Sequence, residues 1–218
     1  MGTSEERVLL NYWRSSCSWR VRMALHHKGL AYTYKAVNLL KGEDTEPTYF
    51  AMNPAGVPTL VDEGGVVITQ SLAIIEYLEE RYPDHPLLPR GFADRAKVRA
   101  VALLIASGVQ PLQNLAAQQK VAALAGPEVK TQWTKEVISE GLHAIELLLQ
   151  GTAGTFCFGD ELSMADLCLV PQVYAAKRFG VELTIDALPT LTRVHGNLEG
   201  LSVVRETHPD MMPDAVKA

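Results

Sequence analysis

Residues 14–22 read Arg-Ser-Ser-Cys-Ser-Trp-Arg-Val-Arg, so two hydroxyls and a thiol are adjacent and three arginines fall within nine residues. Two kinds of chemistry fit these residue types. Cys17 is a nucleophile in its own right once ionised. Alternatively, Ser15, Ser16 and Cys17 serve a nucleophile brought by a ligand, with hydroxyl donors stabilising its negative charge. Ser15 or Ser16 is a good N-cap for the helix expected next. Cys17 falls in that helix's first turn, where unpaired amides and the macrodipole favour an anion. A capped helix holding an inert, half-buried cysteine is the plain structural alternative. Arg14 is a candidate for meeting a substrate carboxylate. For Arg14, Arg20 and Arg22 alike the plain alternative is a solvated charge on a helix face, the commoner fate of an arginine, and Arg20 and Arg22 are assigned no role.

Two further junctions carry binding chemistry. Val57-Pro58 stands just before an apolar run, where a proline cannot join a strand ladder. Taken by itself it reads as a trans proline at a strand start, since only about 5–6% of X-Pro bonds are cis. The functional alternative is a cis peptide that presents the Val57 backbone to a ligand. Gln70-Ser71 lies where a strand gives way to a helix. Ser71 there is expected as an N-cap, worth about 1 kcal/mol. The free amides of the same helix start suit a carboxylate or phosphate.

The pattern around these residues predicts how they are held. Residues 8–13 predict a strand, and 16–28 a helix with Val21, Ala24 and Leu25 on one face and Gly29 as its left-handed cap. Residues 32–39 predict a second strand. Thr59–Val61 and Val66–Thr69 predict a hairpin, and a helix runs from Ser71 to about Tyr82. Three prolines in 83–92 mark a linker. Beyond it the spacing turns helical: 94–119, bent or broken at Pro111; 128–150; a capped helix opened by Ser163 and Asp166 with Pro171 kinking it; and 189–200. The expected fold class is α/β plus all-α, with a mixed four-stranded sheet in residues 1–84 and an all-helical domain in 85–218.

At 218 residues, 47% hydrophobic and 21% charged, the chain suits two small globular domains. Its net charge of −5 argues against a nucleic-acid partner. No apolar run suggests a membrane span, and the polar start is not that of a signal peptide, so a cytoplasmic location is expected. Cys17, Cys157 and Cys168 form no CxxC, which argues against a dithiol centre. The histidines form no metal-ligand spacing with them, and no metal is expected.

Together these features resemble the glutathione transferases: a thioredoxin-like N-terminal half, Val-Pro before a strand, Gln-Ser before the next helix and a helical C-terminal half. Residues 15–22, with 110–115 (Gln-Pro-Leu-Gln-Asn-Leu) and 159–172, resemble the zeta class in particular. The resemblance implies glutathione as cofactor, and it shifts Val57-Pro58 to cis, with the Val57 backbone pairing its cysteinyl part. Gln70 and Ser71 then hold the γ-glutamyl carboxylate. Gln110 and Asn114 approach the tripeptide from the helical domain or a partner subunit, and Arg178 takes a substrate carboxylate. Ser15, Ser16 and Cys17 become donors to a thiolate that is not their own. The implied reaction is cis–trans isomerisation of maleylacetoacetate to fumarylacetoacetate in tyrosine and phenylalanine catabolism. Transferase activity on small α-haloacids and a homodimer are implied with it. Residues 41–48 depart from the family pattern, so no ligand is assigned there. Two rivals from other classes are a thiol transferase or dehydroascorbate-type reductase using Cys17 covalently, and a non-catalytic assembly module. The presence of Ser15, Ser16 and Cys17 counts against the module.

Overall fold

A computed structural model describes residues 6–216. Packing divides them into two units: residues 6–86 together with 202–216, and residues 87–201. Residues from Ser202 onward, grouped by sequence with the helical half, thus pack with the first unit.

The first unit is built on a four-stranded sheet in the order β2-β1-β3-β4, formed by β1 (Val8–Asn11), β2 (Thr33–Ala36), β3 (Thr59–Asp62) and β4 (Val66–Thr69). β1 runs parallel to β2 and antiparallel to β3, and β3 pairs antiparallel with β4. Strands β1 and β2 are shorter than the expected 8–13 and 32–39 because the chain leaves the ladder at Tyr12 and at Val37. Side chains alternate across the pleat. Leu10 clusters with Val37 and with Tyr49 of α2 (Pro47–Phe50), and Val57 and Val61 pack against them. On the other face Leu9 and Leu60 are fully buried. So are Val21, Ala24 and Leu25 of α1 (Ser16–His27) and Ile74, Ile75 and Leu78 of α3 (Ser71–Arg81). Gly29, at φ 65°, takes the left-handed position that ends α1. The short helix α10 (Ser202–Glu206), which periodicity did not reveal, packs on α1.

In the second unit α4 (Phe92–Leu103) runs into a π-helical segment, Leu104–Val109, and then α5 (Gln110–Gln113). Pro111 therefore distorts the helix on its N-terminal side, as expected from its missing N–H and its clash with the preceding turn. The break itself falls at Asn114, which is extended and caps α6 (Leu115–Ala125) by accepting from the Ala117 amide at 2.9 Å. Next come α7 (Pro127–Gln150), α8 (Met164–Arg178) and α9 (Pro189–Glu199). Gly141 of α7 is required by close approach, because a Cβ there would lie 2.4 Å from Val109 Cγ2. The capping box of α8 forms as expected, with both Ser163 and Asp166 taking part, and the helix runs through Pro171 without interruption. No single helix among the described residues is long and apolar enough to cross a membrane.

Candidate active site

The sheet register gathers the three junctions. Thr59, which opens β3, pairs with Leu10 of β1 on one side and with Thr69 of β4 on the other. The chain leaves β1 just past Leu10 toward α1, enters β3 from Val57-Pro58, and leaves β4 at Thr69 toward α3. Ser15, Ser16, Cys17, Val57, Gln70 and Ser71 therefore meet at one end of the sheet.

Ser15 is the N-cap of α1, and its hydroxyl oxygen accepts from the Ser18 amide at 3.2 Å. That leaves its O–H to donate elsewhere. Ser16 and Cys17 follow in the first turn, and all three residues are half-buried. The Val57-Pro58 bond is cis, as the family resemblance implies and against the expectation from composition. Gln70 occupies the N-cap position of α3 at φ 70°, a conformation non-glycine residues rarely adopt and one that gathers at functional sites.

Two expectations are corrected here. Ser71 is not the N-cap but the first helical residue, since the backbone of Gln70 takes the cap position; the Ser71 hydroxyl accepts instead from Arg20 Nη1 at 3.2 Å. Arg20 and Arg22 are not solvated charges: they are 1% and 0% exposed. Every residue of α1 from Ser18 to Leu25 is buried, so the helix has no solvent face along this stretch. Each guanidinium nitrogen of Arg22 has a partner. Its Nε donates to the Thr207 carbonyl at 3.2 Å, Nη1 to Asn11 Oδ1 at 3.0 Å and Nη2 to the Trp13 carbonyl at 2.9 Å. Burial lowers its pKa to about 10, against the opposing pull of Tyr34, Tyr32 and Asp214, so it stays charged at neutral pH. Arg20 also donates to Cys17 Sγ at 3.8 Å, while its Nε and Nη2 have no hydrogen-bond partner among the described residues. No feature of the sequence singled Arg20 out. Its place between Trp19 and Val21, one turn from Ser16, is the only available hint.

Arg14 is half-buried, with its guanidinium carbon 5.2 Å from the Trp13 ring centre. Gln110, Asn114 and Arg178 belong to the second unit. Gln110 opens α5 and is half-buried. The Asn114 side-chain oxygen is spent on its cap, leaving the amide nitrogen to donate. Arg178 ends α8, exposed, with its guanidinium 4.6 Å from the Phe179 ring centre.

Two family models match the chain: the glutathione S-transferase N-terminal domain over residues 14–81 and the glutathione S-transferase C-terminal domain over residues 114–206. Maleylacetoacetate isomerase of Dictyostelium discoideum is 45% identical over 217 residues, covering 98% of each protein. A zeta-class glutathione S-transferase of Euphorbia esula is 47% identical over 209 residues, 95% of this chain and 92% of that one. Among solved structures, maleylacetoacetate isomerase from Anaeromyxobacter dehalogenans 2CP-1 superposes with a TM-score of 0.89 at 42% identity, covering 99% of this chain and 100% of that one. It has been captured with glutathione in its active site, and with dicarboxyethyl glutathione and citrate. The chain belongs to the glutathione S-transferase family, in its zeta class.

Proposed function

We propose that this enzyme is a glutathione-dependent cis–trans isomerase that converts maleylacetoacetate to fumarylacetoacetate in the breakdown of tyrosine and phenylalanine. One observation carries the reading: two helix N-termini and Val57-Pro58 converge at one end of the sheet, with Ser15, Ser16 and Cys17 on α1 and Ser71 on α3. These residues fit glutathione. The α3 N-terminus, with Ser71 and the strained Gln70, suits its γ-glutamyl carboxylate, and the Val57 backbone its cysteinyl peptide. The Ser15 and Ser16 hydroxyls and the α1 N-terminus suit a thiolate.

When bound, glutathione supplies a thiolate whose reversible addition to the conjugated alkene turns the maleyl double bond into a rotatable single bond. The task of the chain is to keep that thiol ionised. Lowering a pKa near 8.5 by about two units takes roughly 2.7 kcal/mol. One charge-assisted hydrogen bond from Ser15 and the helix dipole are of that size. Ser16 and Cys17 are the neighbours that assist. We assign Arg14 and Arg178 to the substrate carboxylates, and Gln110 and Asn114 to the tripeptide. The dicarboxyethyl glutathione held by the A. dehalogenans relative supports a site that accepts both a diacid and glutathione. Small α-haloacids are further substrates for the same thiolate. We also propose that the enzyme works in the cytoplasm, in keeping with three free cysteines. A homodimer completes the proposal, as the resemblance to the zeta class implies.

The deciding experiment is turnover of maleylacetoacetate with and without glutathione. Fumarylacetoacetate should form only when glutathione is present; no product in either case overturns the isomerase. A second reading, covalent thiol transfer by Cys17, is favoured by the contact of Cys17 Sγ with Arg20. A Cys17–glutathione disulfide trapped in turnover, together with an inactive Cys17→Ala, would establish it instead.

A further inference from the structure

Arg20 is a buried cation with no carboxylate partner among the described residues. Its two hydrogen bonds both come from Nη1, to Ser71 Oγ at 3.2 Å and to Cys17 Sγ at 3.8 Å. Among the described residues, the buried Nε and Nη2 have no hydrogen-bond partner and no carboxylate pairs with the guanidinium. Arg22, one residue beyond Val21, shows that this chain can give every nitrogen of a buried guanidinium a partner. Unpaired buried donors, and still more an unpaired buried charge, cost free energy that a native protein retains only for a reason.

The contacts supply the reason. A hydroxyl whose oxygen accepts from Arg20 must point its own O–H away from it, so Arg20 fixes Ser71 as a donor at the first residue of α3. The same nitrogen meets Cys17 in the first turn of α1. We propose that Arg20 is a positioning residue that places one positive charge behind both helix N-termini, aiming Ser71 at a carboxylate and raising the positive potential at Cys17 for a thiolate. It thus couples the two ends of a thiol-containing peptide anion without touching it. This inference rests on the glutathione reading above.

Arg20→Met removes the charge at similar length, and Arg20→Lys keeps the charge but loses the fork. Three quantities separate a positioning role from a structural one: the thermal midpoint of the unliganded protein, the Kd for glutathione and for S-methylglutathione, and the pKa of the bound thiol from its thiolate absorbance. For Arg20→Met we expect an unchanged or higher midpoint, since an unpaired charge is lost. Both Kd values should rise about tenfold or more, and the bound thiol should titrate about 1 pKa unit higher. Arg20→Lys should recover most of the thiol pKa and less of the affinity. In a Ser71→Ala background the Arg20→Met effect on S-methylglutathione binding should largely vanish, because it acts through Ser71. Wild-type Kd and thiol pKa in both Arg20 variants overturn the inference while leaving the isomerase intact. If Arg20→Met does not fold, a wild-type thiol pKa and Kd in Arg20→Lys, with no coupling between Arg20→Lys and Ser71→Ala, overturn it equally. Failure of the wild-type protein to bind glutathione overturns the functional reading, and this inference with it.

Discussion

Ser15 carries two roles on one oxygen. It accepts from the Ser18 amide as the α1 cap, and its O–H remains for a ligand anion. Substitution separates the two. Ser15→Ala removes both, so it should cost about 1 kcal/mol of stability and lower glutathione-dependent isomerisation by about tenfold or more. Ser15→Asp keeps an acceptor for the Ser18 amide but brings a negative charge and no proton to the thiolate. It should hold stability near wild type in urea titrations while losing activity at least as severely. Equal activity in wild type and Ser15→Ala would remove Ser15 from the chemistry. At this scale the α1 cap was legible in the sequence and the burial of the arginines was not. Ser15 declares itself because capping draws on few residue types. Arg20 and Arg22 look like surface residues because arginine usually is one; only the closure of packing around α1, through Thr207 among others, shows otherwise.

The elements that could be read had a local cause, such as Gly29 ending α1 or Ser163 and Asp166 opening α8. Those that could not depend on distant partners. The α6 start follows from Asn114 rather than from Pro111, and α9 begins where Glu146 of α7 accepts from the Thr190 and Leu191 amides at 3.1 and 2.7 Å. Burial pushes the Glu146 carboxyl up, but the Leu191 and Thr190 hydrogen bonds outweigh it and hold the pKa below the ordinary value. Farther along α9, His195 is buried, and that burial lowers its pKa to about 4 despite the nearby Glu199 carboxylate. Between about 6.5 and about 4 the unfolded chain therefore binds a proton that the folded one does not. Stability present above this window is lost as pH falls through it, by up to about 3 kcal/mol from this group. A His195→Gln variant should lose correspondingly less than wild type when urea unfolding is compared at about pH 7 and about pH 4. Parallel pH–stability curves for the two proteins would refute the assignment.

The molecule as a whole is not divided where its chain changes character. One division between the packing units falls after Pro86, within the proline-rich stretch, and residues 202–216 return to the first unit. No periodicity signals this, because α10 spans only five residues, with Val203 and Val204 buried, and the rest of the segment is held by individual polar contacts. Thr207 accepts from Trp19 Nε1 at 2.9 Å and, through its carbonyl, from Arg22. Glu206 pairs with His26 at 3.0 Å. Asp214 accepts from the Trp13 amide at 3.2 Å and from the Tyr34 hydroxyl. These contacts brace the Tyr12–Trp13 turn, whose Tyr12 carbonyl accepts from the Ser15 amide at 3.1 Å and so sets the start of α1. Deleting residues 202–218 should therefore act on the end of the sheet proposed above to hold glutathione. Hydrogen exchange should accelerate in β1 and α1 more than anywhere in 87–201, since at least two buried side-chain hydrogen bonds are lost, about 2–3 kcal/mol. Glutathione affinity should fall with it, while a Thr207→Val variant, which loses the Trp19 bond but keeps the segment and the Thr207 carbonyl, should show a smaller loss of the same kind. Exchange that accelerates first in α7 and α8 would mean that the C-terminal segment stabilises the helical unit instead, and the bracing of α1 would have to be abandoned.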